Sequence, residues 1–172
     1  MRIDVVETKV YPFDELSDEA KQAAIENMYD INVDYAWYGP TYEDAETIGL
    51  VITEFDTRHC GGDWTEDAED VAKLIIENHG EDCETHKDAW EFENAVSVAG
   101  SIFEDEDDYD PDYEEFTESD GYEELCEEFL TTICEDYSIL LQEAYEYLST
   151  EEAILDTIKA NEYEFTEDGK LY

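Results

Sequence analysis

From Asp88 to Ile158 the chain runs through 71 residues without a lysine or an arginine. A surface helix normally mixes signs, because like charges four residues apart cost a few tenths of a kcal/mol and Glu-to-Lys pairs gain about as much. Whatever forms in this stretch must therefore be held by apolar packing and must present carboxylates to solvent. The rest of the chain does not restore the balance: 52 acidic residues face 8 basic ones, for a net charge of -44. If every base found a partner, 44 carboxylates would still be unpaired. Such acidity usually reads as disorder, but 42% of the residues are hydrophobic and 13% aromatic, with thirteen tyrosines and three tryptophans. That combination predicts a folded chain with a charged exterior, and its 172 residues fit a single domain, 1–172.

The clearest periodic signal lies inside the base-free stretch. From Tyr122 onward Cys126, Phe129, Ile133, Tyr137, Leu140, Leu141, Ala144 and Leu148 keep a helical stripe for about seven turns, roughly 40 Å at 1.5 Å per residue. Glu123, Glu124, Glu127, Glu128, Glu135, Asp136, Glu143 and Glu146 fall largely off it, so the spacing predicts one long amphipathic helix with an all-carboxylate outer face. Residues 3 to 11 suggest a first strand, and Ser17 an N-cap for a helix over 18–29. Thr41 suggests the cap of a short helix through Ile48, ended by Gly49 before a second strand, LVITEFDTR. Gly61-Gly62 reads as a turn; Thr65 starts a helix with Ala68, Val71, Ala72 and Ile75 inward, closed at His79-Gly80. A further helix over about 82–98 would turn Ala89, Trp90, Ala95 and Val96 inward. Ser149 or Thr150 caps a short helix ended by Asn161, and residues 163 to 172 read as a terminal hairpin or a strand with a turned end. The expected class is α+β: a small antiparallel sheet packed with several helices, including the long one in the C-terminal half.

Before that helix lies an acidic loop at about 104–119. Between Glu104 and Glu128 there are fifteen carboxylates. A calcium loop of the helix–loop–helix kind needs glycine at its sixth position and glutamate at its twelfth. Counting from Asp108, Asp110 and Asp112 fit, but Tyr113 and Ser119 occupy those two positions and the motif fails. Zinc is raised by His79, Cys83 and His86, with Cys83 and His86 at a chelating spacing, but no CxxC pair supports it. The four cysteines, Cys60, Cys83, Cys126 and Cys134, are too scattered for a disulfide framework and are expected as reduced thiols, Cys126 and Cys134 as small core residues. No nucleotide-binding, nucleophile-elbow or metalloprotease motif is present, so neither an enzyme nor a cofactor is expected.

Direct contact with nucleic acid or with an anionic membrane is disfavoured for so negative a surface. No leader or membrane-spanning run is expected, which points to the cytoplasm. The partner should be basic. Glutamates four apart on a helix are separated by roughly 6 Å of rise, the order of the phosphate spacing along one nucleic-acid strand. Glu104, Asp105, Glu106, Asp107, Asp108, Asp110, Asp112, Glu114 and Glu115 of the loop, with Glu123, Glu124, Glu127, Glu128, Glu135 and Asp136 of the helix, are the candidate contact residues. Salt adaptation is the plain alternative for the charge. Against it, Lys outnumbers Arg six to two, Glu outnumbers Asp 31 to 21, and bulky aromatics are plentiful.

The segments YPFDELSDEAKQAAIENMYDINVDYAW, IIENHGEDCETHK and EYLSTEEAILDTIKANEYEFTEDGKLY resemble a family of small acidic proteins of phages and prophages. In size and charge the chain is also similar to DNA-mimic anti-restriction proteins of the Ocr and ArdA kind. Together the resemblances imply a phage protein that acts in the host bacterial cytoplasm and inhibits a DNA-binding defence enzyme: a restriction complex, a CRISPR effector or another nuclease. The alternative is an acidic chaperone that sequesters a basic polypeptide. A homodimer would extend the charged face, although nothing in the sequence demands one.

Overall fold

The computed structural model describes residues 1–2, 7–56, 59–101, 117 and 119–172. Most of the acidic loop therefore lies outside the described residues, as does the calcium-loop register from Asp108. Two compact units are formed: residues 1–37 with 143–172, and residues 38–142.

In the first unit, strand β1 (Val10–Pro12) pairs antiparallel with β4 (Glu164–Thr166), Tyr11 opposite Phe165. Of the strand expected over residues 3 to 11, residues 3–6 are outside the described residues and 7–9 are not in a strand, so the pairing is shorter than expected. A 3-10 turn (Phe13–Glu15) leads to α1 (Asp18–Asn27), whose start is fixed as expected by Ser17, its hydroxyl accepting from the Ala20 N–H at 3.2 Å. Helix α6 (Glu151–Ala160) is capped in the same way by Thr150, which accepts from the Ala153 N–H at 3.2 Å. Leu16, Ala20, Ala24, Met28, Ile154, Ile158 and Phe165 make one buried cluster between these helices and the strand pair. Small residues on α1 let the chain end approach closely: Gly169 has φ +79°, and a Cβ there would sit 2.3 Å from the Ala20 carbonyl oxygen. Asn32 ties the loop after α1 to two helices, donating to the Leu148 carbonyl at 3.0 Å and accepting from the Thr157 hydroxyl at 2.6 Å.

The second unit begins with α2 (Gly39–Thr47), which starts at Gly39-Pro40 rather than at Thr41, because proline is pre-set for the first helical turn. Gly49, at φ +81°, then turns the chain into β2 (Leu50–Asp56). Gly61 and Gly62 correct the expected turn: they lie inside β3 (His59–Trp64), the antiparallel partner of β2. The physical reason is close approach. A Cβ on Gly62 would lie 2.8 Å from the Val51 carbonyl oxygen, and one on Gly61 would lie 2.9 Å from Glu54 Cγ, where the register slips between Ile52 and Glu54. Helix α3 (Ala68–Asn78) buries Ala68, Val71, Ala72 and Ile75 as its spacing predicts. Thr65 does not begin it; its hydroxyl donates to the Gly49 carbonyl at 3.2 Å instead. Helix α4 (Glu84–Ser101) buries Ala89, Phe92 and Val96 but exposes Trp90, which corrects the expected inward face.

Helix α5 (Asp120–Leu148) runs for 29 residues, about 43 Å. It contributes residues through Gln142 to the second unit and the remainder to the first. Phe129, Ile133, Cys134, Tyr137 and Leu141 are buried on it. Leu140, expected on the inner stripe, is exposed; being adjacent to Leu141, it is rotated by about 100° off the buried line. The class is α+β, with the described strands in two separate two-stranded antiparallel sheets.

Candidate protein-binding surface

Helix α5 is held by aromatic and aliphatic contact, as a chain without local cations must be. Phe129 stacks on Phe92 of α4 with centroids 4.4 Å apart and planes at 10°, and Trp64 of β3 approaches it at 5.4 Å. Glu123, Glu124, Glu127, Glu128 and Glu135 are all exposed, Glu128 at the edge of these contacts. Glu123–Glu127 and Glu124–Glu128 form two parallel rows with a rise of about 6 Å between members. Thr131 and Thr132 continue the rows as neutral positions, each hydroxyl bonded back to the carbonyl four residues earlier at 2.9 Å. A groove of about 260 Å³ between α4 and α5 has Phe92 and Phe129 in its wall, with Asp88, Glu91 and Glu128 also lining it.

Asp136 behaves differently from the other five. It is half-buried, and its Oδ2 is enclosed without a hydrogen-bond partner among the described residues. Burial first, then the charge of Asp88 and its side-chain interaction with Asp136, and then Glu84 and Glu135, push its carboxyl up to about 7. A proton retained there leaves the Asp136–Asp88 pair with one negative charge instead of two and turns an orphaned acceptor into a donor. Near neutral pH Asp136 thus belongs to the packing of α5 on α4 more than to the outward charge array.

The sequence did not show how the inward tyrosine hydroxyls of α5 would be satisfied, or which acids would accept from them. Carboxylates at the surface of neighbouring helices supply the answer. Tyr137 is fully buried and donates to Asp44 Oδ2 of α2 at 2.8 Å, and Tyr122 donates to Glu69 Oε1 of α3 at 2.9 Å. Burial, reinforced by these bonds to anions, pushes both phenols well above their ordinary range. A buried tyrosine needs a partner for its hydroxyl, so Tyr122 and Tyr137 within an apolar stripe were the available signal. Which acid each one reaches depends on the fold. The lysines are used locally: Lys73 pairs with Asp70 at 3.0 Å and Lys87 with Glu84 at 2.6 Å, all exposed. Pairs of that kind contribute little to stability.

The zinc candidates are not assembled as ligands. His79 Nδ1 lies 2.7 Å from the Thr85 hydroxyl, which is itself 3.5 Å from Cys83 Sγ, and His79 Nε2 is 3.8 Å from Asp44 Oδ2. Among the described residues no group of three or more His, Cys, Asp and Glu side chains could hold a metal ion. Among them, too, no helix is long and apolar enough to cross a membrane. Glu104, Asp105, Glu106, Asp107, Asp108, Asp110, Asp112, Glu114 and Glu115 lie outside the described residues. No protein-family model, no curated protein and no solved structure matches the chain.

Proposed function

We propose that the protein is a phage-encoded DNA mimic that inhibits a host defence enzyme by occupying its basic DNA-binding surface. The observation that carries this reading is the outer face of α5: exposed carboxylates in rows on one helix, inside a 71-residue stretch without a lysine or arginine. A helix fixes the spacing of its charges, which a flexible acidic tail cannot do. Basic side chains that normally meet phosphate oxygens would meet carboxylates at a similar pitch and release their own bound anions, so the affinity would fall steeply with salt. The apolar anchoring of α5 through Phe92, Phe129 and Ile133 allows that face to stay wholly anionic without losing its helix.

The test is protection of DNA from a panel of restriction and CRISPR nucleases at two salt concentrations. Inhibition of at least one enzyme, weaker at high salt and competitive with duplex DNA, is the expected result. Inhibition of none, with no basic partner recovered by pull-down, would overturn the proposal. Binding to unfolded basic peptides without competition from duplex DNA would instead favour an acidic chaperone.

A further inference from the structure

Cys60 and Cys134 are far apart in sequence, on β3 and α5, and each is almost fully buried at 4% and 5% exposure. Alternate residues of a strand point to the same face, so Cys60 and Gly62 share a face of β3. A Cβ on Gly62 would lie 3.5 Å from Cys134 Sγ, which places that sulfur against the face from which Cys60 projects. Each thiol perturbs the other's ionisation, Cys134 lowering the pKa of Cys60 and Cys60 raising that of Cys134. Neither is in a disulfide. Both line a groove of about 480 Å³ whose walls also include His59, Leu130 and Ser138. The groove gives a small solute access to sulfurs that are otherwise enclosed.

We propose that Cys60 and Cys134 form a peroxide-reactive dithiol that closes to a reversible disulfide joining β3 to α5. The roles differ because the interaction with Cys134 favours the thiolate at Cys60, while the interaction with Cys60 first, and burial second, hold Cys134 protonated. The Cys60 thiolate attacks one oxygen of hydrogen peroxide, the O–O bond breaks, and the departing hydroxide takes a proton and leaves as water. Cys134 sulfur then attacks the resulting sulfenic acid; the S–O bond breaks, and the hydroxyl leaves with the Cys134 proton as a second water. Two thiols and one peroxide thus give one disulfide and two waters, sulfur losing the two electrons that peroxide gains. A dithiol reductant reverses the result. Cys83 is exposed and has no cysteine partner among the described residues.

The experiment uses the full chain as the double variant Cys83→Ser, Cys126→Ser, with its helical circular dichroism checked first. On treatment with hydrogen peroxide under native conditions, the expected product is a monomer that has lost two hydrogens and both titratable thiols. Peptide mapping should find Cys60 linked to Cys134, and dithiothreitol should restore both thiols. In the wild-type chain, which keeps every native side chain, mapping should find the same linked peptide. Separate sulfinic acids, cross-linked dimers, thiols that stay reduced, or a linkage formed only in urea would each overturn the proposal.

Discussion

Glu135 and Asp136 are neighbours on one helix, yet they stand in opposite electrostatic situations. Glu135 is exposed, whereas Asp136 is turned against α4, half-buried beside Asp88 and raised to about 7. A rotation of about 100° about the helix axis separates a charge available to a partner from a proton held within the packing. The comparison extends along α5: outward carboxylates are left to water, the inward hydroxyls of Tyr122 and Tyr137 each find a carboxylate acceptor, and the inward Oδ2 of Asp136 is left without a partner among the described residues. With so few cations nearby, the surface carboxylates of Asp44 and Glu69 accept from tyrosine hydroxyls.

The largest expected effect tests the outward half. Reversing Glu123, Glu124, Glu127 and Glu128 to Lys should weaken inhibition of the target nuclease by at least about 100-fold, as expected for loss of charge complementarity at several positions. The thermal midpoint should hold or rise, because the same change relieves self-repulsion. An unchanged inhibition constant would move the contact away from this face. The next effect tests the inward half: Tyr137→Phe should cost about 0.5–1.5 kcal/mol in urea unfolding, the net contribution of its bond to Asp44, whose exposed carboxylate water can then solvate. Inhibition measured under folding conditions should stay unchanged.

Asp136→Asn should act in the opposite direction and depend on pH. The folded carboxyl titrates near 7, above its unfolded value of about 3.9, so the folded state holds the extra proton between those values. Wild-type stability is therefore lost as pH rises through that window. Asparagine, which never ionises, should be more stable than wild type at pH 8 by about 1–2 kcal/mol after allowance for water screening a half-exposed group. The advantage should shrink towards pH 4; the same advantage at both pH values would rule out an ionisation effect. Smallest of all, Glu135→Gln should change stability by less than about 0.5 kcal/mol, as exposed substitutions do. A larger loss would mean that Glu135 is packed as its neighbour is.

Much of the architecture was legible because it rests on local chemistry. Ser17 and Thr150 cap the helices expected of them, and the spacing of Ala68, Val71, Ala72 and Ile75 gave the buried face of α3. Gly61-Gly62 misled because a glycine pair signals a turn locally, whereas here the glycines make room for the Val51 backbone and the Glu54 side chain of the paired strand. Trp90 misled because it groups with Ala89, Ala95 and Val96 on the expected inner face of α4, where Ala89, Phe92 and Val96 hold the buried positions. Of the candidate surface, the five exposed glutamates of α5 could be read from periodicity. Asp136 could not be separated from them, since its difference arises from burial against α4 and then from Asp88, 48 positions earlier in the chain.

The sequence alone determined the excess of carboxylates, the long helix and the apolar stripe that anchors it, because these depend on composition and on a 3.6-residue period. Only the tertiary structure decided which acids are matched by Tyr122 and Tyr137, which one keeps a proton, and that Cys60 meets Cys134. Those outcomes depend on contacts between residues distant in the chain, and a local pattern carries no record of them.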